Sequence, residues 1–227
     1  MTSSNEIAYP SRSAARRLIL VTGQEGAGKT TIIRALLPHT PRGARIDAED
    51  LGQVNPCLFD DAFWRLLRAN VAALVRNYWA AGFENVIAGS FFTTRDDFLR
   101  FRELVPEVEE VYMVQLLVQP HERRHRRLTR AKRTTQEWRD MVDQFDTVDT
   151  TIADNQDGYR YVAVDGTGMT PEQTVTAIVR ELPEIYGPRL SNIQDTAYMC
   201  SDGVAATRAQ THLPGERPVL GSMGSGR

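Results

Sequence analysis

The sequence predicts an α/β fold with a parallel sheet. The first observation is that short apolar runs alternate with amphipathic helical stretches over residues 17–187. The second is a glycine-rich turn that connects the first apolar run to a helix. With 227 residues, of which 41% are hydrophobic and 25% charged, the chain is long enough for one globular domain with a sizeable core.

The first half of the chain is predicted to contain two strands and two helices. A buried strand over Arg17–Thr22 precedes a helix over residues 29–37, which ends before Pro38 because the residue before a proline avoids helical backbone angles. Residues 44–47 form the second short strand. The longest helix covers residues 60–81, and its apolar stripe consists of Phe63, Leu67, Val71, Leu74 and Tyr78.

The second half continues the alternation with three strands and four helices. In chain order these are a strand over residues 84–88, a helix over 94–105, a strand over 111–118, a basic helix over 121–133, a helix over 135–148, a strand over 159–164 and a final helix that ends at Pro183. A capping box of Thr170 and Gln173, with Pro171 in the first helical position, marks the start of that final helix.

The two ends of the chain lack this periodicity. Residues 1–16 are rich in Ser, Ala and Arg, which predicts a flexible leader. Residues 188–227 are rich in Gly, Ser, Pro and Thr, which predicts a disordered tail. The globular domain is therefore expected over residues 17–187.

Charge and cysteine content narrow the class of protein. The formal net charge of −2 gives no overall attraction to nucleic acid or to membranes, and no apolar run approaches the roughly 18 residues of a membrane span. Only Cys57 and Cys200 occur, far apart in the sequence. This spacing argues against a disulfide framework and favours a reducing cytoplasm.

The glycine-rich turn over residues 23–30 reads Gly-Gln-Glu-Gly-Ala-Gly-Lys-Thr and matches the G-x-x-x-x-G-K-[ST] pattern of phosphate-binding loops. Backbone N–H groups of such a loop and the N-terminus of the following helix surround a pyrophosphate. We expect Lys29 to contact the β- and γ-phosphates and the Thr30 hydroxyl to bind Mg²⁺. The predicted nucleotide-binding residues are Gly23, Gly26, Ala27, Gly28, Lys29, Thr30 and Thr31.

Lysine is rare in this chain, which supports a chemical role for Lys29. Of the 27 basic residues, only Lys29 and Lys132 are lysine. Neither has the aspartate two residues further on that a guanine-recognition motif requires, which argues against a GTPase. The candidate strands also lack the terminal acidic pair of ring ATPases and helicases. Small kinases that phosphorylate a hydroxyl group remain as the favoured class.

A kinase of this kind needs an acidic group that orients or deprotonates the acceptor hydroxyl. Asp47 ends the second predicted strand, at the sheet edge where ligands of open α/β folds bind. We predict a catalytic or acceptor-binding role for Asp47, with an ordinary helix N-cap as the alternative. Asp50 is a second candidate for acceptor binding.

Basic and polar residues after the third and fourth strands are further candidates. In the stretch 121–133, Arg126 and Arg130 are predicted to contact ATP in catalysis, and most of the other arginines are expected on a solvent-exposed face. Ser90 and Arg95 follow the third strand and are predicted to bind the acceptor. We expect seven further titratable residues on the surface: Asp143, Asp146, Asp149 and the four histidines His39, His121, His125 and His212.

Several segments together resemble the small-molecule branch of P-loop kinases, which includes gluconate, shikimate and chloramphenicol kinases and the kinase domain of phage polynucleotide kinase. The segments are residues 23–30, Asp47, residues 86–92 with Arg95, residues 141–148 and residues 162–167. The resemblance implies a three-layer fold with a five-stranded parallel sheet of order 2-3-1-4-5 and a helical lid near residues 122–135. It also implies ATP and Mg²⁺ as cofactors and contact between Asp47 and the acceptor hydroxyl.

The identity of the acceptor stays open at this point. Gluconate kinases have Gly-His-Phe after the lid arginine where this chain has residues 131–133, Ala-Lys-Arg, and shikimate kinases have three glycines where it has residues 89–91, Gly-Ser-Phe. The leading hypothesis is an ATP-dependent kinase of a small molecule such as a sugar acid, a nucleoside or an antibiotic. The alternatives are a kinase of polynucleotide 5′ ends, motivated by the basic stretch, and a non-catalytic nucleotide-binding regulator. The oligomeric state is left open.

Overall fold

The computed structural model describes residues 15–56, 59–130, 134–144 and 150–187. The predicted tail and all but the last two residues of the predicted leader lie outside these ranges. So do Cys57, Lys132, Asp146 and Asp149.

The centre of the molecule is a five-stranded sheet in which every neighbouring pair is parallel. Its strands are β1 (Arg17–Thr22), β2 (Gly43–Asp47), β3 (Asn85–Gly89), β4 (Glu110–Leu117) and β5 (Arg160–Asp165). Their order across the sheet is β2-β3-β1-β4-β5. The structure confirms the predicted α/β class, the five parallel strands and the order 2-3-1-4-5.

Nine α-helices lie in the described part of the chain. They are α1 (Lys29–Leu36), α2 (Ala48–Leu51), α3 (Asp61–Ala80), α4 (Arg95–Arg102), α5 (Pro120–Thr129), α6 (Gln136–Gln144), α7 (Thr151–Asp154), α8 (Pro171–Glu181) and α9 (Pro183–Tyr186). The sequence prediction missed α2, α7 and α9, because a helix of four residues is too short to show a 3.6-residue period. Among the described helices, none has the length and apolar character of a membrane span.

Side chains of the sheet pack against helices on both faces. Leu18 and Leu20 of β1 belong to the core on the side of α3 and α4, whereas Ile19 and Val21 belong to the core on the side of α1 and α8. Successive side chains of a strand point to opposite faces, so a strand covered on both sides is apolar at every position. Each fully buried aliphatic side chain of this kind contributes about 1.5–3 kcal/mol to folding.

Local capping explains where several helices begin. The Asp60 side chain accepts a hydrogen bond from the Phe63 amide at 2.8 Å, which starts α3. The Thr170–Gln173 capping box is present at α8, as predicted. In the sheet register Val21, Asp47 and Gly89 lie side by side, so the segments that follow β1, β2 and β3 meet at one edge.

Candidate active site

The phosphate-binding loop connects β1 to α1 and needs glycine at its turning points. Gly23 and Gly26 have φ angles of 140° and 88°, which side chains of L-residues rarely allow. A Cβ atom on Gly23 would lie 2.6 Å from the Leu116 carbonyl oxygen, and one on Gly26 would lie 2.7 Å from the Arg123 carbonyl oxygen. The loop is therefore packed tightly between β4 and α5.

Lys29, the first residue of α1, turns back across this loop. Its Nζ donates hydrogen bonds to the carbonyl oxygens of Gly23 at 2.9 Å and Gln24 at 3.2 Å. Burial lowers the pKa of Lys29, and the nearby carboxylates of Glu25 and Glu49 act in the opposite direction. An anionic ligand bound at the loop would further stabilise the charged ammonium.

Two cavities open on either side of Lys29. The first has a volume of about 610 Å³ and lies between the phosphate-binding loop, α5 and the segment before α8. The second has a volume of about 470 Å³ and lies at the ends of β1 and β3, next to α6. Three residues line both cavities, and we call them the shared wall: Glu25, Lys29 and Glu49.

The predicted nucleotide-binding residues divide between these cavities. Gly26, Ala27, Gly28, Lys29, Thr30 and Thr31 line the first cavity, and Gly23 lines the second. The residues opposite the loop include His125, Met169, Pro171 and Thr174. His125 is exposed, as expected, and it also lines the first cavity.

Arg126 and Arg130 of the basic stretch both line the first cavity, where each is held by a carboxylate. Arg126 forms an ion pair with Glu122 and donates to the Ala27 carbonyl oxygen at 3.3 Å. Arg130 pairs with Glu25 at 2.7 Å, and its guanidinium carbon lies 5.3 Å from the centre of the Trp138 ring. The two arginines therefore lie beside the loop, with carboxylates among their present partners, and their contact with ATP stays a prediction.

The expectation that most other arginines of this stretch are solvent-exposed is wrong for Arg123 and Arg127, which are buried. Arg127 donates to the Glu25 carbonyl oxygen at 2.8 Å and forms an ion pair with Asp143 of α6. The physical reason is that α5 packs against the loop, so residues four positions apart on one face become enclosed. Asp143 is consequently an ion-pair partner of the basic helix and not part of a free surface.

No protein-family model matches this chain, and no curated protein matches its sequence. A sugar kinase from Janibacter sp. HTCC2649 has a similar structure, with 17% sequence identity, a TM-score of 0.56 and coverage of 76% of this chain and 96% of that one. A gluconokinase from Sinorhizobium meliloti 1021 has 16% identity and a TM-score of 0.52, with coverage of 76% and 97%. The chain has the fold of the P-loop small-molecule kinases. 

Within this kinase fold, the acidic residues at the end of β2 and just after it differ in whether they face the two cavities. Asp47 is buried, and its carboxylate accepts a hydrogen bond from the Glu49 amide at 3.3 Å as the N-cap of α2. Asp47 lies in the wall of neither cavity, and Asp50 is exposed. Glu49 lies in the wall of both. The sequence analysis missed Glu49, and no local signal identifies it, because the four-residue helix that carries it is too short to show a helical period.

Of the two predicted acceptor-binding residues after β3, only one lines a cavity. Ser90 has a φ angle of 70° and lines the second cavity of the kinase fold. Arg95 starts α4, and its side chain donates to the Asn155 carbonyl oxygen at 3.2 Å while its amide donates to Thr151. Arg95 lies in the wall of neither cavity. Gln24 and Gln115, which the sequence analysis did not select, line the second cavity.

Proposed function

We propose that this chain is a kinase that transfers the γ-phosphate of ATP to a hydroxyl group of a small molecule. The observation that carries the proposal is the shared wall, because Lys29 and Glu49 face both a cavity at the phosphate-binding loop and a second cavity beside it. A transferred phosphoryl group passes between two such sites. The names of the structurally similar sugar kinase and gluconokinase support the same class of reaction.

The first cavity is proposed as the ATP site. Loop amides and the Lys29 ammonium would hold the phosphates, and positive groups would offset the charge that spreads over the transferring phosphoryl. Arg126 and Arg130 lie close enough to the loop to exchange their present carboxylate partners for phosphate oxygens. Charge-assisted hydrogen bonds of arginine to phosphate are among the strongest in proteins, which favours this exchange.

The same cavity fits a magnesium ion carried by ATP. Mg²⁺ prefers oxygen ligands and is commonly bound by one or two protein groups together with phosphates and water. Thr30 supplies a hydroxyl in the cavity wall, next to Lys29 at the start of α1. When bound, the ion would neutralise phosphate charge.

The second cavity is proposed as the acceptor site, with Glu49 as the group that receives the acceptor's proton. The acceptor oxygen forms a bond to the γ-phosphorus, the bond from that phosphorus to the ADP oxygen breaks, and the proton passes to the Glu49 carboxylate. This assigns to Glu49 the role that the sequence suggested for Asp47. Asp47 acts as a positioning residue, because its side chain holds the Glu49 amide.

The test is acceptor-dependent release of ADP from Mg·ATP with a panel of sugars, sugar acids, nucleosides, hydroxylated antibiotics and 5′-hydroxyl oligonucleotides. Lys29→Met should abolish release, and Arg34→Met, an exposed cation on the same helix α1, should leave it unchanged. Circular dichroism checks that both variants fold. Release that persists in Lys29→Met, or that no compound stimulates, would contradict the proposal.

A further inference from the structure

We propose that the acceptor is rich in hydroxyl groups and is uncharged or positively charged where it enters the second cavity. This inference rests on the proposed function, because it takes the second cavity as the acceptor site. It separates the three kinds of small molecule considered above, since it favours sugars, nucleosides and amino-bearing compounds over sugar acids. It also disfavours the phosphate-bearing end of a polynucleotide.

The wall of the second cavity carries more acidic than basic side chains among the described residues. Of the described residues that line the second cavity, the charged ones are Glu25, Lys29 and Glu49, which amount to two carboxylates and one ammonium. Lys29 already donates to two loop carbonyls and is the residue proposed to meet the ATP phosphates. Glu25 is paired with Arg130, which would turn to the phosphates when ATP binds. With ATP bound, an anionic acceptor would therefore approach the Glu25 and Glu49 carboxylates and a phosphate chain, and like charges repel.

Ser90 adopts a left-handed φ of 70°, which costs free energy for any residue other than glycine. The two residues that follow, Phe91 and Phe92, are both buried, and their rings pack edge to face with centroids 4.9 Å apart. The strained turn thus places two phenylalanines in the core and leaves the serine in the wall of the second cavity.

Hydrogen-bonding capacity is left over in this wall. The Ser90 Oγ and the Gln24 Oε1 are shielded from solvent, and no described residue is a hydrogen-bond partner of either atom. A buried polar atom without a partner is costly, so a ligand that pairs with it gains affinity. Both side chains must rotate slightly to meet a ligand. An amide oxygen only accepts hydrogen bonds, so the group that meets Gln24 must be a donor.

Hydroxyl and ammonium groups satisfy both positions, whereas a carboxylate accepts from the Ser90 hydroxyl but cannot donate to Gln24 Oε1. A hydroxyl donates to Gln24 Oε1 and either donates to or accepts from Ser90 Oγ. Gln115 adds a third polar group, because its Oε1 accepts from the Tyr161 hydroxyl at 2.6 Å and its amide is thereby oriented in the same wall. On the α6 side, Met141 and Val142 offer apolar surface for the carbon skeleton of the acceptor.

The test compares compounds that differ in a single group. One series is D-gluconate, D-glucitol and 1-amino-1-deoxy-D-glucitol, and the second is uridine-5′-carboxylate, uridine and 5′-amino-5′-deoxyuridine. Binding is measured by calorimetry with the full chain, in the presence of Mg²⁺ and a non-hydrolysable ATP analogue. In at least one series the neutral or cationic member should bind at least tenfold more tightly than the acid. Tightest binding of the acid, or no binding in either series, would overturn the inference.

Two variants link such a preference to the residues named. Ser90→Gly removes the backbone strain, so the variant should unfold at the same or a higher urea concentration while its affinity for the neutral compound falls severalfold. Glu25→Gln removes one carboxylate and releases Arg130, so the disadvantage of the acid should shrink. Unchanged affinity in the first variant, or an unchanged ratio in the second, would also overturn the inference. Failure of the ATP analogue to bind would instead contradict the proposed function.

Discussion

Gly26 of the phosphate-binding loop packs against the backbone of Arg123 in α5, and a Cβ atom on Gly26 would lie only 2.7 Å from the Arg123 carbonyl oxygen. The contact joins the loop to the basic helix that carries Arg126 and Arg130. The shape of the proposed nucleotide site therefore depends on a close approach of two backbones, and a single added methyl group would disturb it.

Gly26→Ala should lose nucleotide binding and destabilise the fold, and Gly158→Ala is a matched control. Gly158 has nearly the same φ, 86° against 88°, but an added Cβ would meet no atom within 4 Å. Both variants incur the cost of left-handed alanine, about 1–2 kcal/mol. Only Gly26→Ala adds the collision with α5. Urea unfolding and calorimetry with Mg·ATP measure the two effects, and equal losses in both variants would show that the collision does not matter.

Glu49→Gln and Asp47→Asn separate the proposed proton acceptor from its positioning residue. Glu49→Gln should lower kcat by about 10²–10⁴-fold, which is the usual contribution of a general base, with little change in the KM for ATP. Asp47→Asn keeps a side-chain oxygen that can accept the Glu49 amide, so its effect on kcat should be less than about tenfold. Steady-state kinetics with the acceptor found in the panel give the answer. A larger loss of kcat in Asp47→Asn than in Glu49→Gln would instead assign the catalytic role to Asp47.

Much of the fold is predictable because its signals are local. The phosphate-binding loop, the Asp60 and Thr170 caps and the apolar strands lie in contiguous sequence, and the structure shows all of them. The basic helix is different: Arg124 and Arg127 are the same residue type three positions apart, yet only Arg127 is buried. That outcome depends on how α5 packs against the loop, and no local pattern encodes it.

The candidate site likewise combines features that contiguous sequence predicts with features that only the packing of distant segments produces. The ends of β2 and β3 are adjacent in the parallel sheet, so the segments that follow them meet at one edge. The side chain that reaches the cavities after β2 was not predictable, because the four-residue helix α2 rotates Glu49 toward Lys29 and leaves Asp47 as its cap. The shared wall arises from three separate segments, and only their packing brings them together.

Arg127→Met should be more destabilising than Arg124→Met, although both arginines pair with Asp143. The Arg127 side chain is 1% exposed and also donates to the Glu25 carbonyl oxygen, whereas the Arg124 side chain is 64% exposed. We expect a loss of about 2–3 kcal/mol for Arg127→Met, because buried acceptors lose their donor, and of less than about 1 kcal/mol for Arg124→Met. Urea unfolding at neutral pH compares them. Similar losses would mean that the Arg127 contacts add nothing.

Affinity for Mg·ATP should fall as the pH rises through the lowered pKa of Lys29. Burial lowers the pKa of Lys29 in the folded protein, and bound phosphates favour its charged form, so binding takes up a proton between the two pKa values. The Lys29→Arg variant separates this proton from any taken up by the phosphate groups, whose last ionisation has a pKa of about 6. In Lys29→Arg the guanidinium stays charged, so any affinity for Mg·ATP that this variant retains should not change with pH. Calorimetry in two buffers of different ionisation enthalpy detects the proton uptake, and a flat profile for the unmodified chain would contradict it.

The central claim is that a phosphoryl group crosses from the first cavity to a hydroxyl group in the second. The most direct measurement incubates the chain with Mg·ATP labelled with ¹⁸O in the γ-phosphate and with the acceptor panel, and follows the label by mass spectrometry. We expect the label in a new phosphate ester, with none formed by Lys29→Met and normal amounts formed by Arg34→Met. Label that appears only in inorganic phosphate, or an ester that forms equally in Lys29→Met, would contradict the account.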